Sequence, residues 1–347
     1  MKTSNIKTYG LIAFYLIPLF SVSTVNKPVL KKHWFKNGPF TQVYVPSDFR
    51  PSKFRRKTYT EGDMKAILYA VSFQPGEPVY IEIFIKNRPK SRQFEVNAQF
   101  SDKKVYLTTH EWGYRGFFGI SPYSKDPEGK LSIQWGEGKN KQEKQIGFFI
   151  SDANFPESTT PLELKKFSNV STKRTEKTKA FIKSSRAKKN VALAVTGENQ
   201  ITNQLSHPRD MHYITSDFWA KRVYSRYYYK NGKKVNAKSR TSIHRGLDLR
   251  AYEGTPIFVI ADGKIVLSDL LYYEGNAVFV DHGNKIFSIY LHMSKRLVKK
   301  GDQVKVGSQL GNAGSTGTVT AAHLHLAVYI SGVPVNPLSF ISLPVRY

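Results

Sequence analysis

The sequence predicts an all-β protein in two parts, joined by a basic segment that carries a helix. Three observations support this. First, from about residue 40 to residue 153, short runs rich in β-branched and aromatic residues recur: "KAILYAVSF", "PVYIEIFIKN", "FEVNAQF", "KVYLTTH", "KLSIQWGE" and "KQIGFFISD". Turn residues such as "QPGEP" and "KDPEGK" separate them, and this even spacing predicts an antiparallel β-sandwich over residues 36–155. Second, "TKRTEKTKAFIKSSRAKKNVALAV" combines helix-favouring Lys, Ala and Glu with little strand alternation, so residues 156–205 read as a basic linker with a helix. Third, "TPIFVIADGKIVLSDLL", "NAVFVDHG", "KIFSIYLHM" and "LHLAVYI" are strand candidates separated by "EGT", "HGN", "KGD" and "SGVP". No stretch there has the length and period of a buried helix, so residues 206–343 are expected to form a small, mostly antiparallel domain. Asn231–Gly232 in "SRYYYKNGKK" marks a hairpin tip ahead of it.

Composition narrows the chemistry. The 347 residues include no cysteine, which excludes disulfides, thiol nucleophiles and Cys-ligated metal. Lys2 and Lys7, the apolar run Tyr9–Phe20 and the small residues Ser21–Ser23 read as an export signal removed after residue 23. The body of the chain is therefore expected outside the cytoplasm, in the periplasm or cell envelope. The formal charge is +27. Between Lys165 and Arg240, 13 Lys and 6 Arg face 4 acidic residues. Such a surface attracts polyanions through a salt-screened field. For an exported protein, anionic envelope polymers or lipid head groups are the expected partners, and nucleic acid is not.

Nine histidines occur, and four fall in three short motifs of the last domain: "HRGLD" (His244, Asp248), "YLHMS" (His292) and "AHLHLAV" (His323, His325). In a strand, side chains two apart share a face, so His323 and His325 stand side by side. His and Asp together suit a divalent metal, with zinc the usual choice. A catalytic zinc needs three protein ligands and one open position, so four imidazoles and one carboxylate leave two groups over. An unligated imidazole near neutrality can move a proton.

These motifs, in this order, resemble the catalytic domain of lysostaphin-type (LytM-like) zinc metallopeptidases, and the likeness runs from about Ser216 to Ile341. "ADGKIV" and "GDQVKVGSQLGNAGSTG" resemble the family's scaffold turns and Gly-rich loops. The resemblance implies a zinc-dependent endopeptidase acting on peptidoglycan peptides, with one zinc ion held by His244, Asp248 and His325. It implies that His292 and His323 flank the attacking water and the scissile carbonyl. One would be general base and the other would stabilise the oxyanion, in an order the resemblance leaves open. It also suggests an immunoglobulin-like module for the upstream sandwich. Ala321–Ala322 and Leu326–Ala327–Val328 depart from the family's usual flanks of the His-x-His, as does "SDFWAKR" upstream, which concerns groove shape rather than ligands. A second class is a non-catalytic LytM-like regulator that has lost ligands, but all five positions are filled here. A biotinyl or lipoyl carrier, suggested by "VKKGDQVKVGSQLG", lacks a modifiable lysine at a hairpin tip. Several peptide bonds are compatible with these ligands. The absence of a wall-binding module after the catalytic region favours a D-Ala–diaminoacid bond over a glycine bridge. His282 is expected to be structural, and His207 and His212 to be packing or surface residues.

Overall fold

The computed structural model of the chain describes residues 54–164, 167–170, 174–202, 205–209 and 214–346. The export signal expected at residues 1–23 lies outside the described residues, as does His212. Among the described residues no helix is long and apolar enough to cross a membrane.

The first half is built from β1 (Arg55–Glu61), β2 (Met64–Ala70), β3 (Pro78–Ile85), β4 (Phe94–Phe100), β5 (Lys103–Val105), β6 (Leu107–His110), β7 (Gly113–Gly119), β8 (Glu128–Glu137) and β9 (Gln142–Phe149). One antiparallel sheet runs β1-β2-β3-β7-β6 and the other β5-β4-β8-β9. Between them lies a core that includes Met64, Leu68, Val79, Ile81, Ile83, Phe118, Ile133 and Trp135. Trp135 buries its ring there and donates its indole N–H to Asp63 Oδ1 at 2.9 Å.

Strand β3 explains why "PVYIEIFI" reads as an almost unbroken apolar run. Val79, Ile81 and Ile83 face the sandwich core. Tyr80, on the opposite face, packs with Phe117 of β7 into the core of the C-terminal half. A strand covered on both faces loses the alternation of a half-exposed one. Glu82 sits on that second face, accepting from Tyr69 and Tyr80 at 3.1 Å each. Arg115 of β7 donates to the carbonyls of Ile201 and Arg346. The sheet is thus a common wall of two cores.

A buried carboxyl lies at the same junction. Glu77, in the turn before β3, accepts weakly from Asn336 Nδ2 at 3.4 Å, and its Oε2 has no hydrogen-bond partner among the described residues. Burial raises its pKa from 4.5 to about 7. Between those values the folded chain holds a proton that the unfolded chain has released. Stability is therefore expected to fall as pH rises through that window, by up to ~3 kcal/mol, and to level off above it. Glu77→Gln should flatten the slope, which denaturant unfolding at pH 5 and pH 8 would measure. An unchanged slope in the variant would locate the titration elsewhere.

The middle segment packs along its length. Residues 157–164 and 167–169 run beside the ribbon described below through parallel bridges Glu157–Lys221, Leu162–Tyr224 and Asn169–Tyr227. Helix α1 (Glu176–Ala194) starts at Thr175, whose hydroxyl accepts from the Thr178 N–H at 3.2 Å. It buries little beyond Ser185 and Ala192. Lys188 and Lys189 pin it to Asp269 and Glu274.

The second half comprises β10 (Ile214–Ser216), β11 (Lys221–Lys230), β12 (Lys233–Ile243), β13 (Leu247–Arg250), β14 (Pro256–Phe258), β15 (Gly263–Leu271), β16 (Gly275–Asp281), β17 (Ile286–Met293), β18 (Lys295–Arg296), β19 (Gln303–Val304), β20 (Gln309–Asn312), β21 (His323–Ile330), β22 (Val333–Val335) and α2 (Pro337–Ile341). The main antiparallel sheet runs β10-β13-β21-β17-β16-β15-β19, with β22 on β21. A small sheet β14-β20-β18 packs nearby, and β11-β12 form a long two-stranded ribbon whose turn is Asn231–Gly232. In β21 the alternation is sharp. Leu324, Leu326, Val328 and Ile330 are fully buried in the core, while His323, His325, Ala327 and Tyr329 line the other face. Truncating any of these core residues to alanine would cost ~2–5 kcal/mol.

Candidate metal centre

Three neighbouring strands assemble the site. Asp248 of β13 lies directly opposite His325 of β21, and Leu291 of β17 lies opposite His325 on the other side. Leu247 and Leu249 anchor β13 in the core and turn Asp248 to the groove face. His244, just before β13, is fixed by backbone bonds to the 219–220 segment: its N–H donates to Ala220 O and its carbonyl accepts from Trp219 N. Gly246 is required between them, since a Cβ there would lie 2.5 Å from His325 Nε2 and 2.6 Å from Leu326 O.

His244 Nε2, Asp248 Oδ1 and His325 Nδ1 converge. Asp248 Oδ1 is 3.0 Å from His244 Nε2 and 2.8 Å from His325 Nδ1, and the two nitrogens are 3.0 Å apart. His244 Nδ1 faces the carbonyl of Asp217 at 2.8 Å. A carbonyl only accepts, so Nδ1 carries the hydrogen and Nε2 turns a lone pair into the cluster. A carboxylate oxygen and imidazole lone pairs aimed at one point are a donor set for a cation, and the His–carbonyl bond is the support that metal-bound imidazoles use. These three residues form a group able to hold a metal ion.

Arg222 of β11 completes the cluster and had no signal in the sequence, where it is one basic residue among many. Its Nη2 donates to Asp248 Oδ2 at 2.5 Å and its Nε to Ser216 Oγ at 3.0 Å. With Oδ2 occupied, Oδ1 is the oxygen left for the centre. Burial alone would raise the Asp248 pKa, but His244, His323 and His325 outweigh it and hold the group well below the usual carboxylate range.

His292 and His323 flank the cluster. Their ring centroids are 5.0 Å apart, and His292 lies 5.9 Å from His325. By alternation His292 should point away from His325, because its neighbour Leu291 is the residue paired with His325. A β-bulge corrects this. Between Asn276–Met293 and Val278–Tyr290 the register of β16 and β17 shifts, and His292 has φ +64°. The extra residue turns the imidazole onto the groove face. Its N–H donates to Glu274 O at 3.0 Å, and Nδ1 donates to Thr316 O at 2.9 Å, so Nε2 is free to face the groove. Gly317 lets the loop carrying Thr316 come this close: it has φ +78°, and a Cβ there would lie 2.4 Å from Gly275 N. His323 donates Nδ1–H to Ala321 O at 2.8 Å and presents Nε2 3.5 Å from Asp248 Oδ1. Burial, then repulsion from His323 and His325, lowers the His292 pKa to about 3. Burial works against the charge on His323 too, but the Asp248 hydrogen bond and charge hold its pKa above the usual value.

Residues 242–337 match the model described as peptidase family M23. The chain carries a peptidase family M23 domain. All five residues of the cluster lie within that M23 segment, whereas Arg222 lies outside it. Two curated relatives are from Vibrio cholerae. Peptidoglycan DD-endopeptidase ShyA is 42% identical over 99 residues, 28% of this chain and 23% of its own. Peptidoglycan DD-endopeptidase ShyC is 35% identical over 133 residues, 38% of this chain and 28% of its own. The matches thus span about a quarter of the length of these relatives. A solved structure described as a putative peptidase M23 from Pseudomonas aeruginosa has a TM-score of 0.54 at 23% identity, covering 78% of this chain and 96% of that one. That share extends well beyond the M23 segment, so the fold is common to more than the catalytic region.

The other histidines are placed differently. His282 is fully buried, with Nδ1 on Asp262 O and Nε2 on Ser288 Oγ, both at 2.7 Å. His207 is buried against Arg209 O at 2.7 Å, and burial lowers its pKa to about 3. Neither touches the cluster.

Proposed function

We propose that the protein is a zinc-dependent endopeptidase of the cell envelope that hydrolyses peptide bonds in peptidoglycan stems or cross-links. The observation carrying this reading is the convergence of His244, Asp248 and His325 on one point, with the Nε2 atoms of His292 and His323 turned to the same groove, inside an M23 domain. Zinc bound there would polarise the scissile carbonyl and acidify a water. His244, Asp248 and His325 would hold the ion, with Arg222 engaging Oδ2 of Asp248 and leaving Oδ1 for it. The Nε2 atoms of His292 and His323 serve the proton and the oxyanion: one, unprotonated, takes a proton from water and returns it to the leaving amine, and the other, protonated, donates to the oxygen that gains charge. The D-Ala–diaminoacid bond is the preferred target, in keeping with the names of the relatives. A regulator that has lost its metal is not favoured, since the donor set is complete.

The sandwich reads as an immunoglobulin-like module with one extra strand. Without β1, the orders β2-β3-β7-β6 and β5-β4-β8-β9 follow the A-B-E-D and C′-C-F-G pattern. Export through residues 1–23 would bring the chain to this substrate, and its basic surface suits anionic envelope polymers or lipid head groups.

His292→Ala and His323→Ala are each expected to keep one zinc per chain and lose at least ~10²-fold in kcat/KM. His325→Ala should lose both metal and activity. Elemental analysis and mass spectrometry of fragments from purified peptidoglycan read the two effects. Hydrolysis by metal-stripped His325→Ala would overturn the mechanism.

A further inference from the structure

We infer that a second pocket beside the metal centre binds a carboxylate of the substrate peptide, away from the bond that is cut; this rests on the peptidase reading above. The pocket has a volume of about 520 Å³ and is walled by residues 167–170, the start of α1 with Arg174 before it, the ribbon β11-β12 and the turn between β15 and β16. Its lining includes Arg174, Arg226 and Arg240 and no Asp or Glu. The carboxylates next in sequence to lining residues are engaged elsewhere: Glu163 with Lys234, Glu176 with Lys179 and Glu274 with Lys189.

Two of the three guanidinium groups, those of Arg174 and Arg240, lie against aromatic rings rather than acids. Arg174 donates to Tyr273 Oη at 2.9 Å and lies 6.0 Å from that ring, and Arg240 lies 5.8 Å from the ring of Tyr224. Tyr224 pairs with Arg240, Arg226 stands two residues further along β11 across a register shift, and all three line the pocket. Stacking fixes a guanidinium plane and leaves most of its five donors open, a geometry suited to bidentate capture of a carboxylate. Thr318 Oγ1, also in the lining, is shielded from solvent and has no hydrogen-bond partner among the described residues. A ligand oxygen would satisfy it.

Two short connections tie the pocket to the metal centre. Tyr224 stands two residues along β11 from Arg222, which holds Asp248. On the other side Tyr273 O accepts from Thr318 N, two residues beyond the Thr316 carbonyl that orients His292. An extended peptide with its scissile bond at the metal centre would bring a carboxylate-bearing neighbour into this pocket. Stem peptides supply such carboxylates as α-carboxyl or side-chain groups.

The test uses the full chain and two synthetic cross-linked peptides, identical except that free carboxylates flanking the scissile bond are carboxamides in the second. Calorimetric Kd and kcat/KM are measured for both. The wild type should favour the carboxylate peptide by ~10-fold or more in each. In Arg226→Gln/Arg240→Gln the ratio should fall towards one. The hairpin-tip variant Lys230→Gln/Lys233→Gln should keep the wild-type ratio. An undiminished ratio in the arginine variant, or an equal fall in the tip variant, overturns the pocket. So does a ratio of one in the wild type with loss of binding to a phosphate polymer in the arginine variant, which would make the occupant a polyphosphate. Discrimination in Kd without cleavage of either peptide keeps the pocket and rejects the peptidase reading.

Discussion

Asp248→Ala is expected to remove metal and hydrolysis together, with a loss of at least ~10³-fold in kcat/KM. Asp248 is the hub of the centre. Its Oδ1 lies within 3.0 Å of both His244 Nε2 and His325 Nδ1, and its Oδ2 holds Arg222. Truncation deletes the only carboxylate among the three donors. It also leaves the Arg222 guanidinium, only 15% exposed in its side chain, without its counter-charge. Breaking a buried pair from one side costs ~3–5 kcal/mol, so the variant should also unfold more easily. Arg222→Gln separates the two effects. It keeps all three donors but frees Oδ2, and should weaken zinc affinity ~10–100-fold. Competition with a chromogenic chelator measures affinity, and thermal unfolding measures stability. Wild-type zinc affinity in Arg222→Gln would show that the guanidinium serves packing alone.

The second large effect is expected far from the metal. Arg115→Leu should lower stability by ~3–5 kcal/mol, because the buried Ile201 carbonyl and the Arg346 carbonyl both lose a charged donor. Those carbonyls belong to Ile201, at the end of the middle segment, and to Arg346, after α2, whereas Arg115 is on β7 of the sandwich. One guanidinium thus ties the sandwich to two points of the other half. The loss should appear as one cooperative transition moved down by roughly 5–10 °C. Faster amide exchange is expected around residues 200–202 and 343–346. Two separate transitions, or an unmoved one, would mean that the halves fold independently.

Much of the site was legible because strand alternation is a local rule. "AHLHLAV" has apolar residues at 324, 326 and 328, and burying them puts His323 and His325 on the opposite face whatever the rest of the chain does. The apolar Leu247 and Leu249 place Asp248 in the same way. The strand content of both halves and the helix in the middle segment follow equally from local composition. His292 was named by its motif and the family resemblance, but the face it occupies did not follow from alternation. Alternation along "IFSIYLHM" sends it to the wrong face, and only the bulge against β16 turns it back. A bulge is a mismatch between two strands, and neither strand alone records it.

By itself, the sequence determined which residues could ligate a metal, in what order, and which faces of β13 and β21 they occupy, because those facts depend on side-chain chemistry and a two-residue period. The tertiary structure decided the rest. It chose Arg222 from a long run of basic residues by bringing β11 beside β13. It made β3 a wall between two cores, which gave its almost unbroken apolar run a second buried face. It gathered Arg174, Arg226 and Arg240 around Tyr224 and Tyr273, from segments separated by up to 99 residues in the case of Arg174 and Tyr273. Charge and burial at such places depend on contacts between distant segments, and those contacts exist only once the chain has packed.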